Sequence, residues 1–361
     1  MKFVIVDDDE VIYHSPLGRE KATALENLLR ESQCFCPSFD GPDPYSIETY
    51  IHEFAWHRTE VTFLLDRNIY SQVIALSRGV PVNAKTRYAA GIIAFASSVN
   101  AECEPALALY EGSASGASRG WKRDLGRFHR GEQIHAANWA ALALGYASEF
   151  TRKLPSRRLP RELLEKFNPA EELGSFEFVY PTILKLAATH VTVGTPDRKM
   201  MAFLEWMYRH WYFSAPATIL ASQVLCSNPI GSAFKHIGSS TRSRALKGVR
   251  NAAWDMVYLT EWLKKVRDQE STNSLTVLCS RDSLLLRVAG LLRRSLLGEL
   301  AIPVLRQAGF GSKVEERYAA LLSKLESPER FVVSEPNQLK AYRAQLVEHL
   351  EAEILNHNPA S

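Results

Sequence analysis

The chain has few cysteines, no long apolar run and no surplus charge of one sign, and each lack excludes a class of protein. Five cysteines in 361 residues are too few and odd in number for a disulfide framework, and Cys34 and Cys36 are too close to bridge comfortably within a strand or helix. A reduced, cytoplasmic setting is the expectation. No stretch approaches the roughly 18 apolar residues that a membrane span needs, and no basic start followed by an apolar segment reads as a secretory signal. With 43 Lys+Arg against 40 Asp+Glu, a net +3, composition gives no sign of a dedicated polyanion binder, although balance over the whole chain can hide acids gathered at one place and bases at another. Neither an internal repeat nor a low-complexity tract is present.

What remains is an ordinary globular composition, 46% hydrophobic and 23% charged, in a chain long enough for one large domain or two modest ones. The opening FVIVDDDEVIY reads as a strand entering a turn or hairpin. Helices are expected over 21–31 and 46–56. VTFLL (61–65) is a short, wholly apolar run of the kind buried on both faces of a parallel sheet, and it ends on Asp66. Helices follow through SQVIALSRG and over 85–98, and another containing Glu111 runs into the Gly/Ser-rich break at 112–120. Residues 121–228 carry four of the seven tryptophans and helical-period apolar stretches, with FEFVY (176–180) the exception that reads as a strand. Trp206, Tyr208 and Trp211 fall at helical spacing and read as core. The segment 231–251 reads as a polar, basic loop leading to a helix over 251–266. LTVLCS (275–280) repeats the pattern of the first buried strand, closes on Arg281-Asp282, and enters the helix SLLLRVAGLLRRSLL. RFVVS (330–334) reads as an edge strand, and a charged helix is expected from about 336 to 355.

The informative pattern is two apolar strands that each end on an aspartate and run into a helix. In open α/β sheets, ligands bind beyond the carboxyl ends of the strands. Asp66 and Asp282 would meet there. Glu111, with Glu104 one or two turns earlier on the same helix, and Asp255, early in the helix before the second strand, would complete a cluster of four acids. Carboxylates that close together cannot all ionise without a cation, and an all-oxygen set suits Mg²⁺ or Mn²⁺. A metal so held can position water against a phosphodiester. The simpler alternative applies to each residue: an aspartate directly after a strand is a common helix N-cap, and Glu111 or Asp255 can be an ordinary helical acid.

LLDRN (64–68), ALYEG (108–112), NAAWDMVYL (251–259) and VLCSRDSLL (277–285) resemble, in order, the four acidic motifs of PIN-like nuclease domains. The resemblance implies an α/β/α sandwich with a central parallel sheet, and a Mg²⁺- or Mn²⁺-dependent endoribonuclease, with RNA a more common substrate than DNA. Asp66, Glu111, Asp255 and Asp282 would be the catalytic metal ligands, Asn68 and Asn251 supporting or substrate-orienting groups, and Ser280 a hydrogen-bonding member of the last motif. The domain plan that follows is an N-terminal extension (1–60), a nuclease core in two parts (61–119 and 245–300), a mainly helical insertion (120–244) and a C-terminal helical extension (301–361). Family analogy adds a protein regulator, as in toxin or defence systems, and a homo-oligomer. Lys235, His236, Arg242, Arg244, Lys247 and Arg250 crowd the segment before the third acid, where phosphate would approach; the alternative is a solvated loop.

Two further readings compete. One is a non-catalytic PIN-like module that binds RNA or protein. The other is a metal-independent ribonuclease of HEPN type, since Arg123 with His129, and Arg130 with His135, fit its permissive pattern of an arginine and a histidine with four to six residues between them. HEFAWH (52–57) places its histidines at i,i+5, about 140° apart on a helix, and so lacks the one-face i,i+4 pair of a zincin.

Overall fold

The computed structural model describes residues 3–7, 10–13, 16–40, 43–114, 120–162, 167–169, 173–229, 233–296, 301–325 and 335–357. The expected edge strand at 330–334 lies outside them. Contacts divide the chain into two compact units, Met1–Glu172 with Trp262–Leu286, and Leu173–Glu261 with Arg287–Ser361. Residues 120–172 therefore group with the sheet-bearing unit.

The first unit opens with an antiparallel hairpin, β1 (Phe3–Asp7) and β2 (Glu10–Tyr13). Helix α1 (Arg19–Ser32) leads to β3 (Phe35–Pro37), and α2 (Ile47–His57) leads to β4 (Glu60–Leu65). Then come α3 (Arg67–Ser77), α4 (Thr86–Ser98), β5 (Glu102–Glu104), α5 (Ala106–Gly112), α6 (Trp121–Glu132) and α7 (Ala136–Leu144). The unit closes with β6 (Ser274–Cys279).

The main sheet has the order β3-β6-β4-β5. Strands β5 and β6 both run parallel to β4, whereas β3 runs antiparallel to β6. The protein is thus α/β, but its sheet is mixed and not wholly parallel. The antiparallel strand is the three-residue segment Phe35–Pro37, too short to leave a periodic signal, and Pro37 suits an edge.

Alternation along the strands explains their apolar character. Val61, Phe63 and Leu65 of β4 share a core with Leu275, Val277 and Cys279 of β6, while Leu64 and Leu278, pointing to the other face, are buried as well. A strand covered on both faces has no solvent side on which to put polar residues. On the first face Phe35 stacks on Tyr45 with centroids 5.1 Å apart, meets Phe63 edge-on at 5.3 Å, and Phe95 of α4 at 5.5 Å. On the other side of β6, Trp262 donates its indole N–H to the Thr276 carbonyl at 3.3 Å.

The described part of the second unit is helical: α8 (Gly174–Val191), α9 (Pro196–His210), α10 (Ala215–Val224), much of α11 (Arg242–Thr272) and of α12 (Ser283–Leu296), α13 (Ala301–Gln307), α14 (Ser312–Leu322) and α15 (Pro336–Asn356). FEFVY, expected as a strand, lies in α8. Phe176 stacks on Tyr180 one turn later at 5.2 Å, and Val179, Tyr180, Ile183, Leu184, Leu186 and Ala187 are buried at helical spacing. This continuous packed stripe outweighs the β-propensity of five residues. Trp211 and Tyr208 are buried, and Trp206 is half-buried.

Helix α11 begins at Arg242 and runs unbroken for 31 residues. The basic segment expected as a loop to 251 is therefore helix from Arg242 onward. Ala245 and Val249, four apart and fully buried, give its first turns an apolar stripe that the flanking charges obscure in the sequence. Gly248 is required there, because a Cβ at that position would lie 1.8 Å from the Lys235 carbonyl oxygen. The helix passes to β6 through one residue, Asn273, at φ 45°, a left-handed conformation that asparagine tolerates better than most.

Candidate functional site

Strand order in the main sheet reverses about β4: the chain leaves β4 for β5 on one side and returns as β6 on the other. The register sets Leu64 beside both Leu278 and Glu104, and Leu65 beside Cys279. The carboxyl ends of three parallel strands therefore lie side by side. Asp66 follows β4, Ser280-Arg281-Asp282 follow β6, and Glu104 ends β5.

Asp66 is 4% exposed and caps α3, its Oδ1 accepting from the Ile69 N–H at 2.8 Å. Its Oδ2 accepts from Ser280 Oγ at 2.5 Å. Burial raises the pKa of Asp66; the bonds from Ser280 and Ile69 oppose the shift, and the negative charge of Asp282 adds to it. Ser280 is fully buried, its N–H bonded to the Cys34 carbonyl on β3's side at 3.0 Å. Its hydroxyl accepts from the Asp282 N–H at 2.9 Å. Asp282, half-buried, caps the next helix through Oδ1, which accepts from Leu284 and Leu285 N–H at 3.0 and 3.2 Å. Both aspartates are thus helix caps, as the simpler alternative has it, and both also belong to one hydrogen-bonded unit across two strand ends.

Glu111 lies near the end of α5, 15% exposed at its side chain, with its carboxylate 3.5 Å from Arg67 Nη1. Arg67 directly follows Asp66. Glu104 is not on the helix of Glu111, as expected, but on β5, whose three residues are masked in the sequence by the run into ALALYEG. Its carboxylate pairs with Lys265 Nζ at 2.8 Å. Arg281 lies over the Tyr88 ring at 4.7 Å. Arg67 and Lys265 have no assigned role in the sequence reading and Arg281 enters it only as the neighbour of Asp282, although an arginine flanks both strand-end aspartates in the dipeptides Asp66-Arg67 and Arg281-Asp282. Asn68 is exposed on the first turn of α3.

Asp255 and Asn251 lie on the portion of α11 that belongs to the second unit. Asp255 is half-buried at mid-helix, far from the first turn that the sequence assigned it, because the helix starts at Arg242. Its role as a ligand rests on the sequence motif alone.

The basic residues divide by task. Arg242 donates to the carbonyls of Ile237, Ser239 and Ile354, tying the preceding loop to the end of α15. Arg250 bonds Tyr180 Oη and Glu351, each at 3.1 Å. Lys235, His236, Arg244 and Lys247 are exposed.

In α6, His129 Nδ1 lies 2.8 Å from Glu132, and Arg123, exposed, is six positions earlier, about 120° around the helix. His135 caps α7 through Nδ1. Cys34, Cys36, Cys103 and Cys279 are buried; burial pushes the Cys34 thiol up to about 12 and those of Cys103 and Cys279 well above their usual range, so these three are not ready nucleophiles. Among the described residues, no helix is long and apolar enough to cross a membrane. The chain matches no protein-family model, no curated protein and no solved structure. The class defined by fold is therefore α/β, with a mixed sheet and acids at its strand ends.

Proposed function

We propose that this chain is a Mg²⁺- or Mn²⁺-dependent endoribonuclease of PIN-like type, with Asp66, Asp282 and Glu111 as the acids of the first unit that hold the cation. The observation carrying this reading is one buried serine that joins the Asp66 carboxylate to the backbone of Asp282 across neighbouring parallel strand ends. Capping alone requires neither that adjacency nor a serine bridging the two strand ends.

Every candidate ligand atom is a carboxylate oxygen, the donor a hard divalent ion takes, and the oxygens of Asp66, Asp282 and Glu111, which do not all lie within 4.8 Å of one another, would have to draw together on an ion. Such an ion, when bound, supplies charge stabilisation at a phosphodiester and an activated water. The residues present do the positioning. Ser280 and the two helix N-termini hold Asp66 and Asp282 in fixed rotamers, and Arg67 orients Glu111. Arg281, planted on Tyr88, presents a guanidinium beside Asp282 for a backbone phosphate. In the second unit, exposed Lys235, Arg244 and Lys247 are the residues for further phosphate contacts. RNA as substrate, a protein regulator and self-association follow from the family resemblance.

The test is incubation of the purified chain with single-stranded RNA in Mn²⁺, in Mg²⁺ and in EDTA. Internal cleavage with either ion and none in EDTA supports the reading. Equal cleavage in EDTA overturns it in favour of the Arg123/His129 alternative, and RNA binding without cleavage under all three conditions in favour of a binding module.

A further inference from the structure

The end of α2 carries a second set of donors of different chemistry. One ligand atom from each of His52, Glu53 and His57 lies within 4.8 Å of the others, with both histidines exposed and Glu53 half-buried. The two imidazole centroids are 5.7 Å apart. The i,i+5 spacing separates these residues on a helical wheel, yet the helix stops at His57 and the side chains close the gap over its last turn. Glu53, at i,i+4 from His57, stands on the same face.

We propose that this turn is a binding site for a zinc-class divalent cation, held by the imidazoles of His52 and His57 and the carboxylate of Glu53. Two nitrogens and one oxygen form a set that zinc and its neighbours favour and that Mg²⁺ does not. Zn–N and Zn–O distances of about 2.0–2.2 Å put neighbouring donors of a tetrahedron roughly 3.4 Å apart. The present spread, within 4.8 Å, would have to close to that value by rotation of the three side chains.

The backbone under the site is already fixed. Arg58 adopts φ 51° and its N–H bonds the Glu53 carbonyl; Thr59 N–H reaches the same carbonyl at 3.3 Å. Asn273 Nδ2 donates to the carbonyls of His57 at 3.0 Å and Arg58 at 3.4 Å. The turn is thereby pinned to the start of β6, so binding has only three side chains to order. The location is also distinct: His57 and Asn273 sit where β4 and β6 begin, and the acids Asp66 and Asp282 sit where these strands end. Three protein ligands leave a coordination position for water or for a donor from another molecule. Because the site spans a helix end tied to the sheet, occupancy stabilises the first unit by mass action.

The experiment uses the full chain without a polyhistidine tag, titrated with Co²⁺ as a spectroscopic stand-in for zinc, then with Zn²⁺ as competitor. With Mg²⁺ in excess to occupy the carboxylate site, one Co²⁺ per chain with the intense visible absorption of a low-coordinate site, bleached by Zn²⁺, is expected. His52→Ala and His57→Ala should each weaken binding of the strongly absorbing Co²⁺ about tenfold or more, since even the loss of a supporting group costs that much. Zn²⁺ should raise the thermal midpoint of the wild type and not of the double histidine variant, whose far-UV circular dichroism shows it folded. An absorption no stronger than that of hydrated Co²⁺, or the same intense absorption in the double variant, overturns the site. Neither result depends on whether the chain cleaves RNA.

Discussion

The hydroxyl of Ser280 donates to the Asp66 carboxylate at 2.5 Å across the ends of two adjacent strands. The same oxygen accepts from the backbone of Asp282, so one buried atom fixes the relation between the two aspartates. Ser280→Ala leaves Asp66 Oδ2 and the Asp282 N–H without this partner in a site where water is scarce. A loss of about 1–3 kcal/mol in unfolding free energy is expected, together with a fall in metal-dependent cleavage. Urea unfolding followed by tryptophan fluorescence measures the first; an unchanged midpoint would show that the bridge holds nothing.

Asp66→Asn should separate stability from activity. The folded-state pKa of Asp66 is raised, chiefly by burial, so between the ordinary carboxylate range and that raised value the native state binds more protons than the unfolded one. Stability therefore falls as pH rises through that window and stays reduced above it. Asparagine removes the buried charge while keeping an acceptor for Ile69 and gaining a donor toward Ser280. In EDTA, the variant should melt above the wild type at about pH 8, where exposed carboxylates are fully ionised, and the difference should shrink as pH falls through the window. Thermal melts across pH test this; a variant less stable than the wild type throughout would contradict it.

The two candidate glutamates differ in their partners. Glu104 sits 2.8 Å from Lys265, whereas Glu111 is 3.5 Å from Arg67, the residue next to Asp66. Glu111→Gln should raise the Mn²⁺ concentration needed for half-maximal cleavage more than Glu104→Gln does. Reversal of that order would make Glu104 the second acid.

The sequence made the two long sheet strands legible because each is buried on both faces and so wholly apolar, with its aspartate visible at the end. It hid β3 and β5, three residues each, whose strand character comes from their neighbours in the sheet. Glu104 reads as helical for that reason. It also hid the true start of α11, where Ala245 and Val249 supply the buried stripe among basic residues, and with it the placement of Asp255 at mid-helix. Ser280 was legible only as a member of the last motif. Its reach to Asp66, 214 residues away, is a consequence of parallel pairing that no local pattern encodes. The pairing of Glu104 with Lys265 is hidden for the same reason.

Exposed and engaged bases should respond differently to substitution. Joint replacement of Lys235, Arg244 and Lys247 by alanine should lower RNA affinity and flatten its dependence on salt, by a slope of roughly 0.7 per lost phosphate contact with a single strand. The fold should be unaffected. Arg242→Ala, which removes the tie to the Ile354 carbonyl and the preceding loop, should instead lower the thermal midpoint. Filter binding over a salt series and a thermal melt distinguish the two; an unchanged salt slope in the triple variant would remove these residues from the substrate path.

The central claim is tested most directly by the rate of Mn²⁺-dependent cleavage of a single-stranded RNA by the wild type, Asp66→Asn and Asp282→Asn, each shown folded by circular dichroism. The expected result is cleavage by the wild type, lost in EDTA, and a fall of about a thousandfold or more in each variant, as befits loss of a group that stabilises transition-state charge. Cleavage by either variant at the wild-type rate would contradict the account.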